Sequence, residues 1–454
     1  MNSTYYKIYK IIILSVTLFF PQFITGQELV EKRSFTLKEA QNFALENNLN
    51  IKNAKLDIEH AQNVIWGNTA TGLPQLNSQV VYNNNLSLQT SLIPAEIFGG
   101  PPGEMIEVQF GTQHNANASI SASQIIFDGP YIVGLQAAKI FRKASQQNLE
   151  KTETDTKELI AQNYYLALLA ERTYVIIDSN YKNILKTISE TQKMYEKGFV
   201  EELDVDNLKV SAISLENAMK SAERQIEVAY RMLKYQLGID LDIDIELSEK
   251  LEEIIGEIDI SKSLIDPFSV INHIDYKLLQ TQEQLAYMNL RRQKAEYFPT
   301  INASYLSQWS AMRNKFNFLN PEENWYYSSM LGFTLSVPIF SSGNKKAMVS
   351  EKRIEYEKAS NAKKLMEDGL ILQNQQIRSD FNTAYEKYLG EKENIKIASK
   401  VLQKTRVKVR EGMASSLDFT QVNDQYLQIE SNYISAMVEL LNAKLRLDKA
   451  MNRL

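Results

Sequence analysis

The chain contains no cysteine. That excludes disulfide staples, thiolate metal sites, a cysteine nucleophile and a lipid anchor on an N-terminal cysteine. Histidine is nearly as scarce: His60, His114 and His273 are the only three, too scattered to form a ligand cluster. No phosphate-cradling glycine loop and no nucleophile-elbow sequence occurs, so the residue patterns of common enzyme sites are missing. Basic charge is not concentrated either. Lys and Arg number 50 against 55 Asp and Glu, a formal net charge of −5, which offers nothing to a nucleic-acid backbone. Long apolar runs are confined to "IIILSVTLFF", Ile11 to Phe20, preceded by Lys7 and Lys10 and followed by "ITG" before Gln27. That run is too short to span a bilayer and reads as an export signal over residues 1–26, removed on maturation. Its loss takes away two lysines and no acid, moving the charge from −5 to −7. With no second apolar run, no transmembrane helix is expected.

What the chain does have is helix-forming sequence all but free of proline, over roughly 37–71, 131–238, 266–297 and 345–454. Apolar residues recur three and four apart, as in Leu417, Val422, Tyr426, Ile429, Tyr433, Met437, Leu440 and Leu447, with polar residues between. A helix from Tyr131 to Lys197 would be about 100 Å long at 1.5 Å per residue. No globular domain encloses such a helix, so the molecule is expected to be elongated.

Between the helices lie four stretches of period two, expected as strands at about 75–92, 114–127, 300–313 and 327–340. Ile301, Ala303, Tyr305 and Trp309 alternate with Thr300, Asn302, Ser304 and Gln308. Leu331, Phe333, Leu335 and Val337 alternate with Met330, Gly332, Thr334 and Ser336. In each strand one face is apolar and the other small and polar.

The chain is internally duplicated. "GLPQLNSQV" from Gly72 matches "YFPTINASY" from Tyr297, "IIFDG" matches "PIFSSG", and "YEKGFVEELD" from Tyr195 matches "VREGMASSLD" from Val409. Spacing agrees: Phe127 to Gly198 is 71 residues and Phe340 to Gly412 is 72. The first strand pair carries an insertion, "PAEIFGGPPGE", Pro94 to Glu104. The repeats are expected at 27–238 and 264–454, joined by an acidic connector at 239–263. Asp240, Asp242 and Asp244 resemble the start of a calcium loop, but Ile245 and Leu251 stand where its glycine and glutamate belong, so a small strand is expected instead. The thirteen methionines fall mostly at helical spacing and read as core filling rather than a metal relay. No metal site and no cofactor is expected.

The strands decide the class. A sheet with one apolar face needs a cover, and no separate core sequence remains to supply it. In an outer membrane, lipid covers the apolar face and a water-filled lumen meets the polar one. A sheet in lipid has no free edges, and the smallest membrane barrels have about eight strands, so four must close with strands from other subunits. Two competing readings are a soluble coiled-coil protein with surface hairpins, and a non-porous periplasmic adaptor or stalk. The combination of an export signal, two amphipathic strand pairs and over-long helices argues against both.

The duplicated layout, the proline entries to the strands and the paired "G…LD" breaks resemble the TolC-like outer-membrane efflux proteins over essentially the whole mature chain. That resemblance implies a mainly helical fold with a membrane β-barrel portion. A homotrimer would give four strands per subunit to a shared twelve-stranded barrel, continued by a periplasmic tunnel of long helical hairpins. It implies an exit duct, not an enzyme, serving a tripartite efflux or type I secretion system. Its partners would be a periplasmic adaptor and a proton-driven or ATP-driven (RND or ABC) inner-membrane pump. It places Gly198, Leu203 and Asp204, and Gly412, Leu417 and Asp418, at the periplasmic tips, where helices reverse and the adaptor touches. Asp418 would line the closed aperture with Gln421 and Asp424 further along. The family's second aspartate is replaced by Gln421, and a closing tyrosine by Val409, whereas Tyr195 keeps its place in the first repeat. Phe333, Leu335 and Val337 would face lipid.

Overall fold

The computed structural model describes residues 33–256, 258 and 267–454; the expected export signal and most of 257–266 in the connector lie outside them. A short strand β1 (Arg33–Phe35) leads into helices α1 (Leu37–Asn47) and α2 (Leu49–Thr71). Four strands follow: β2 (Gln75–Asn84), β3 (Thr90–Pro94), β4 (Met105–Gln109) and β5 (His114–Phe127). Then come the 68-residue helix α3 (Gly129–Glu196) and its shorter companion α4 (Glu202–Leu237). The connector supplies β6 (Ile245–Leu247) and α5 (Leu251–Gly256). The second half runs α6 (Ile274–Ala295), β7 (Thr300–Arg313), β8 (Tyr326–Ser336), α7 (Asn344–Arg410) and α8 (Ser416–Ala450).

Local chemistry sets the breaks between helices. Asn48 ends α1 and starts α2: its Oδ1 accepts from the Asn50 N–H at 2.8 Å, and its Nδ2 donates to the Gln236 carbonyl at 2.7 Å. Side-chain capping of this kind competes with helix continuation, which is why one expected helix is two. Asp128 caps α3 by accepting from the Tyr131 N–H at 2.7 Å, with Pro130 in the first turn. At the end of α4, Gly238 sits at φ 73°, where a Cβ would lie 2.7 Å from the Asn47 carbonyl oxygen. Only glycine meets both demands.

Strands β2, β5, β7 and β8 form one antiparallel sheet in the order β2-β5-β7-β8, so the two repeats meet where β5 pairs with β7. Directly paired residues share a face, and the register runs Leu76 to Ala122 to Tyr305 to Leu331 across all four strands. Val80, Ala118, Trp309 and Tyr327 form a second such row, and Ala303 faces Phe333 in the same layer. The opposite face carries rows such as Gln75, Ser123, Ser304 and Gly332, or Gln79, Ser119, Gln308 and Ser328. One side of the sheet therefore carries most of the large apolar side chains, interrupted by a row with Ser78, Ser307 and Ser329, while the other is mainly small and polar with Leu306 and Met330 among it; β2 and β8 are the edges among the described residues. Two strands are shorter than the alternation predicts. The first ends at Asn84, and 90–94 belongs instead to a separate hairpin with β4; the fourth ends at Ser336, because Pro338 has no N–H to donate. Val337 is thus exposed just past the strand.

The main core sits where the repeats and connector meet. Ile160, Tyr164 and Leu168 of α3, Leu233 and Leu237 of α4, Phe381 of α7, and Met437, Leu440 and Leu447 of α8 pack together. β1 pairs parallel with β6 beside them, so the predicted small strand is present in the acidic connector. Tyr164 Oη donates to the Phe35 carbonyl at 3.0 Å and to Glu249 at 3.1 Å, and burial pushes its hydroxyl far above the usual tyrosine range.

Candidate functional site: the helical tips

Both long helices end the same way. At the end of α3 the Gly198 N–H donates to the Tyr195 carbonyl at 2.8 Å and the Phe199 N–H to Met194 at 2.9 Å, with Gly198 at φ 74°. At the end of α7 the Gly412 N–H donates to Val409 at 3.0 Å and the Met413 N–H to Lys408 at 2.8 Å, with Gly412 at φ 72°. This is the glycine-terminated Schellman closure, which satisfies the last carbonyls and reverses the chain. The two glycines are equivalent in conformation as well as in sequence. Phe199, Leu203, Met413 and Leu417 are exposed around the turns.

The returning helices start with capping boxes. In α8 the Ser415 Oγ accepts from the Asp418 N–H at 3.1 Å, and Asp418 Oδ2 accepts from the Ser415 N–H at 3.0 Å. Donation from the Ser415 N–H, and from the Ser415 hydroxyl at 2.8 Å, lowers the exposed Asp418 carboxyl from its ordinary pKa. In α4, Asp204 Oδ2 accepts from the Glu201 N–H at 3.2 Å in the same role. Gln421 is exposed, and Asp424 is pushed above its ordinary value by partial burial.

Asp204 does more than cap. Its Oδ1 accepts from the Ser416 hydroxyl at 2.5 Å and from the Ser416 N–H at 3.3 Å, tying the first repeat's tip to the second's. Ser416 is 3 % exposed, so water competes little for this bond. A second tie lies further up the bundle, where Arg406 of α7 donates to Asn183 Oδ1 of α3 at 3.1 Å. Val409 packs against an apolar cluster of Ile184, Leu208, Leu215 and Phe419. The position where the resemblance would place a closing tyrosine is therefore used for packing. Sequence reasoning missed Ser416 and Arg406. The signal for Ser416 was the doubled serine of "SSLD": one caps α8, and the other has no role within its own helix.

Among the described residues no group of three or more metal-binding side chains occurs, and no helix is long and apolar enough to cross a membrane. The outer membrane efflux protein family matches residues 41–238 and 276–453, one stretch for each repeat. No curated protein matches the sequence. Among solved structures, CusC is similar at a TM-score of 0.72 and 14% identity, with 91% of each chain covered. The outer membrane protein VceC of Vibrio cholerae is similar at 0.69 and 14% identity, covering 91% of this chain and 95% of that one. The open state of the MtrE outer membrane channel of Neisseria gonorrhoeae gives 0.68 and 17% identity, covering 91% and 88%. With both repeats matched by one family and the same fold carried end to end, the chain belongs to the outer membrane efflux protein family.

Proposed function

We propose that the protein is the exit duct of a tripartite efflux or type I secretion system, a homotrimer that passes solutes from an adaptor and an inner-membrane RND or ABC pump to the outside. The sheet carries this reading: four strands share one face dominated by large apolar side chains, opposed by a mainly small and polar face, and neither edge has a further strand among the described residues. A lipid-exposed sheet with open edges is not viable. Three copies would join β2 of one to β8 of the next and close a twelve-stranded barrel with a polar lumen. Phe333 and Leu335 lie on the apolar face, with Val337 just beyond it, and meet lipid; Thr334 and Ser336 meet water. The duct performs no chemistry, and the pump supplies the energy.

The tips are the gate. Asp418, with Gln421 and Asp424 along the same helix, would form rings around the three-fold axis, and an acidic ring there favours cations. The Asp204–Ser416 tie holds each subunit's two hairpins together in the closed arrangement. Planar-bilayer conductance tests both parts. The wild type is expected to open in rare, discrete steps. Ser416→Ala removes the shorter, hydroxyl bond of the tie, keeps the 3.3 Å backbone bond and both capping boxes, and should raise the open fraction severalfold. Absence of discrete conductance from both proteins would sink the duct; equal open fractions would sink the latch.

A further inference from the structure

The insertion at the outer end of the sheet is an ordered arm rather than a slack loop. Its base continues β2 and β5: the Asn85 N–H donates to the Gln113 carbonyl at 2.7 Å, and Asn85 Nδ2 donates to Thr112 at 2.9 Å. β3 and β4 then pair from Thr90–Gln109 to Pro94–Met105. The tip folds back on itself. A short helical turn, Ala95–Phe98, ends at Gly99 in the left-handed region, Glu96 accepts from the Gly103 N–H at 3.0 Å, and Ala95 is buried.

This preformed arm carries apolar side chains left exposed by all the described residues. Leu92, Ile97, Phe98 and Met105 are each more than 60 % exposed: 64%, 68%, 65% and 61%. β3 and β4 pair with each other and with no other strand among the described residues. An isolated two-stranded hairpin is marginally stable in water, and an apolar surface of this kind marks an interaction site. The arm starts beyond Asn84, where pairing along β2 ends, so it lies outside the four-stranded sheet whose apolar face is the one assigned to lipid.

Topology says what does cover it. The arm rises from the outer end of β2, which is an open edge. The other open edge, β8, begins at Tyr326 at that same outer end, since Tyr326 pairs with Ser310, and Asn84 aligns through His114 with Arg313. Closing the barrel would bring β2 of one copy beside β8 of the next and set the arm against the part of the neighbour's rim that the neighbour's own Tyr82 does not already hold through Phe316 and Phe318. That rim presents exposed Trp325, Tyr326 and Tyr327, preceded by Leu319 at 93% exposure.

We propose that the arm of residues 90–109 is an intersubunit clasp that seats its apolar side chains on the residues 314–327 rim of the adjacent copy of this chain. The proposal rests on the shared-barrel reading and deepens it. The clasp locks each seam from outside the membrane, where strand pairing alone would end at Asn84.

The test places the photo-crosslinking amino acid benzoylphenylalanine at position 98 of the full-length protein, in trimers mixed from light and nitrogen-15-labelled chains. Illumination should join position 98 to peptides from 314–327, with mixed-isotope pairs showing that the link crosses between copies. A second arm replaces 90–109 by a short Gly-Ser link and follows the heat-resistant trimer. Its half-life should fall about tenfold or more, because burying even one large apolar side chain is worth more than a factor of ten, while single-channel conductance persists. Links from position 98 to its own chain, to position 98 of another copy across the axis, to a different protein, or to nothing would each overturn the clasp. So would an unchanged half-life. A wild-type protein that forms no trimer at all would instead defeat the shared barrel, and the same gels report it.

Discussion

Asp204 shows how few atoms connect the two repeats at the tip: one oxygen caps α4 and the other holds Ser416. Above it, a cavity of about 360 Å³ lies between α3, α7 and α8, lined by Arg172, Asn180, Asn183, Arg406, Asn423 and Glu430. Burial raises the Glu430 pKa above its ordinary value of 4.5, opposed by a hydrogen bond from Tyr426 and the charge of Arg172. A carboxyl whose folded value is raised favours the folded state below its unfolded value, and that contribution is lost as pH rises through the folded value. Ionised Glu430 is therefore a cost at neutral pH. Glu430→Gln should melt higher than wild type at pH 7.5, with the difference shrinking on acidification below 4.5. Scanning calorimetry at several pH values checks this; a gain that does not change with pH would assign the effect to packing. Residues of this kind were beyond the sequence. Asp418 and the turn glycines stand in a local motif and could be read, whereas Ser416 matters only through a partner 212 positions away.

At the scale of elements, the alternation in β7 and β8 was legible because a period of two assigns every side chain to a face. The ends of strands were not. Leu86 and Leu88 continue the alternation of β2, yet the strand ends at Asn84, with only the Asn85 N–H to Gln113 bond carrying the pairing one step further. Alternation records which face a residue takes, not whether the next strand is the same one. Face assignment makes a sharp prediction. Phe333 and Thr334 are adjacent on β8 and point to opposite sides of the sheet, Phe333 with Ala303 and Thr334 with Asn302. Phe333→Lys should cost about 2–4 kcal/mol near the bilayer midplane. Thr334→Lys should leave folding nearly intact and alter ion selectivity. Reversible unfolding in lipid vesicles measures the first, and reversal potentials under a salt gradient measure the second. Equal stability costs for the two lysines would mean the faces are misassigned.

In the whole molecule, long helices and a thin sheet leave little interior, and most of what there is gathers around the connector. Duplication was visible in the sequence as matched punctuation, but it gives two similar halves without saying what holds them together. The structure answers with Tyr164, fully buried on α3. Its hydroxyl reaches the backbone of β1 and Glu249 in the connector, while Glu249 also accepts the Leu37 N–H at 2.6 Å. The same core includes Phe381 and Met437 from the second repeat. Tyr164→Phe keeps the ring and removes the hydroxyl, leaving the Phe35 carbonyl without this donor and Glu249 with one fewer. Loss of such a buried bond costs about 1–3 kcal/mol. If this core joins the repeats into one unit, chemical unfolding followed by circular dichroism should remain a single transition moved to lower denaturant. Proteolysis should then cut both repeats at the same denaturant concentration. Two separated transitions, with only the first repeat cleaved early, would show that the halves stand independently and that the union of the duct comes from trimer contacts instead.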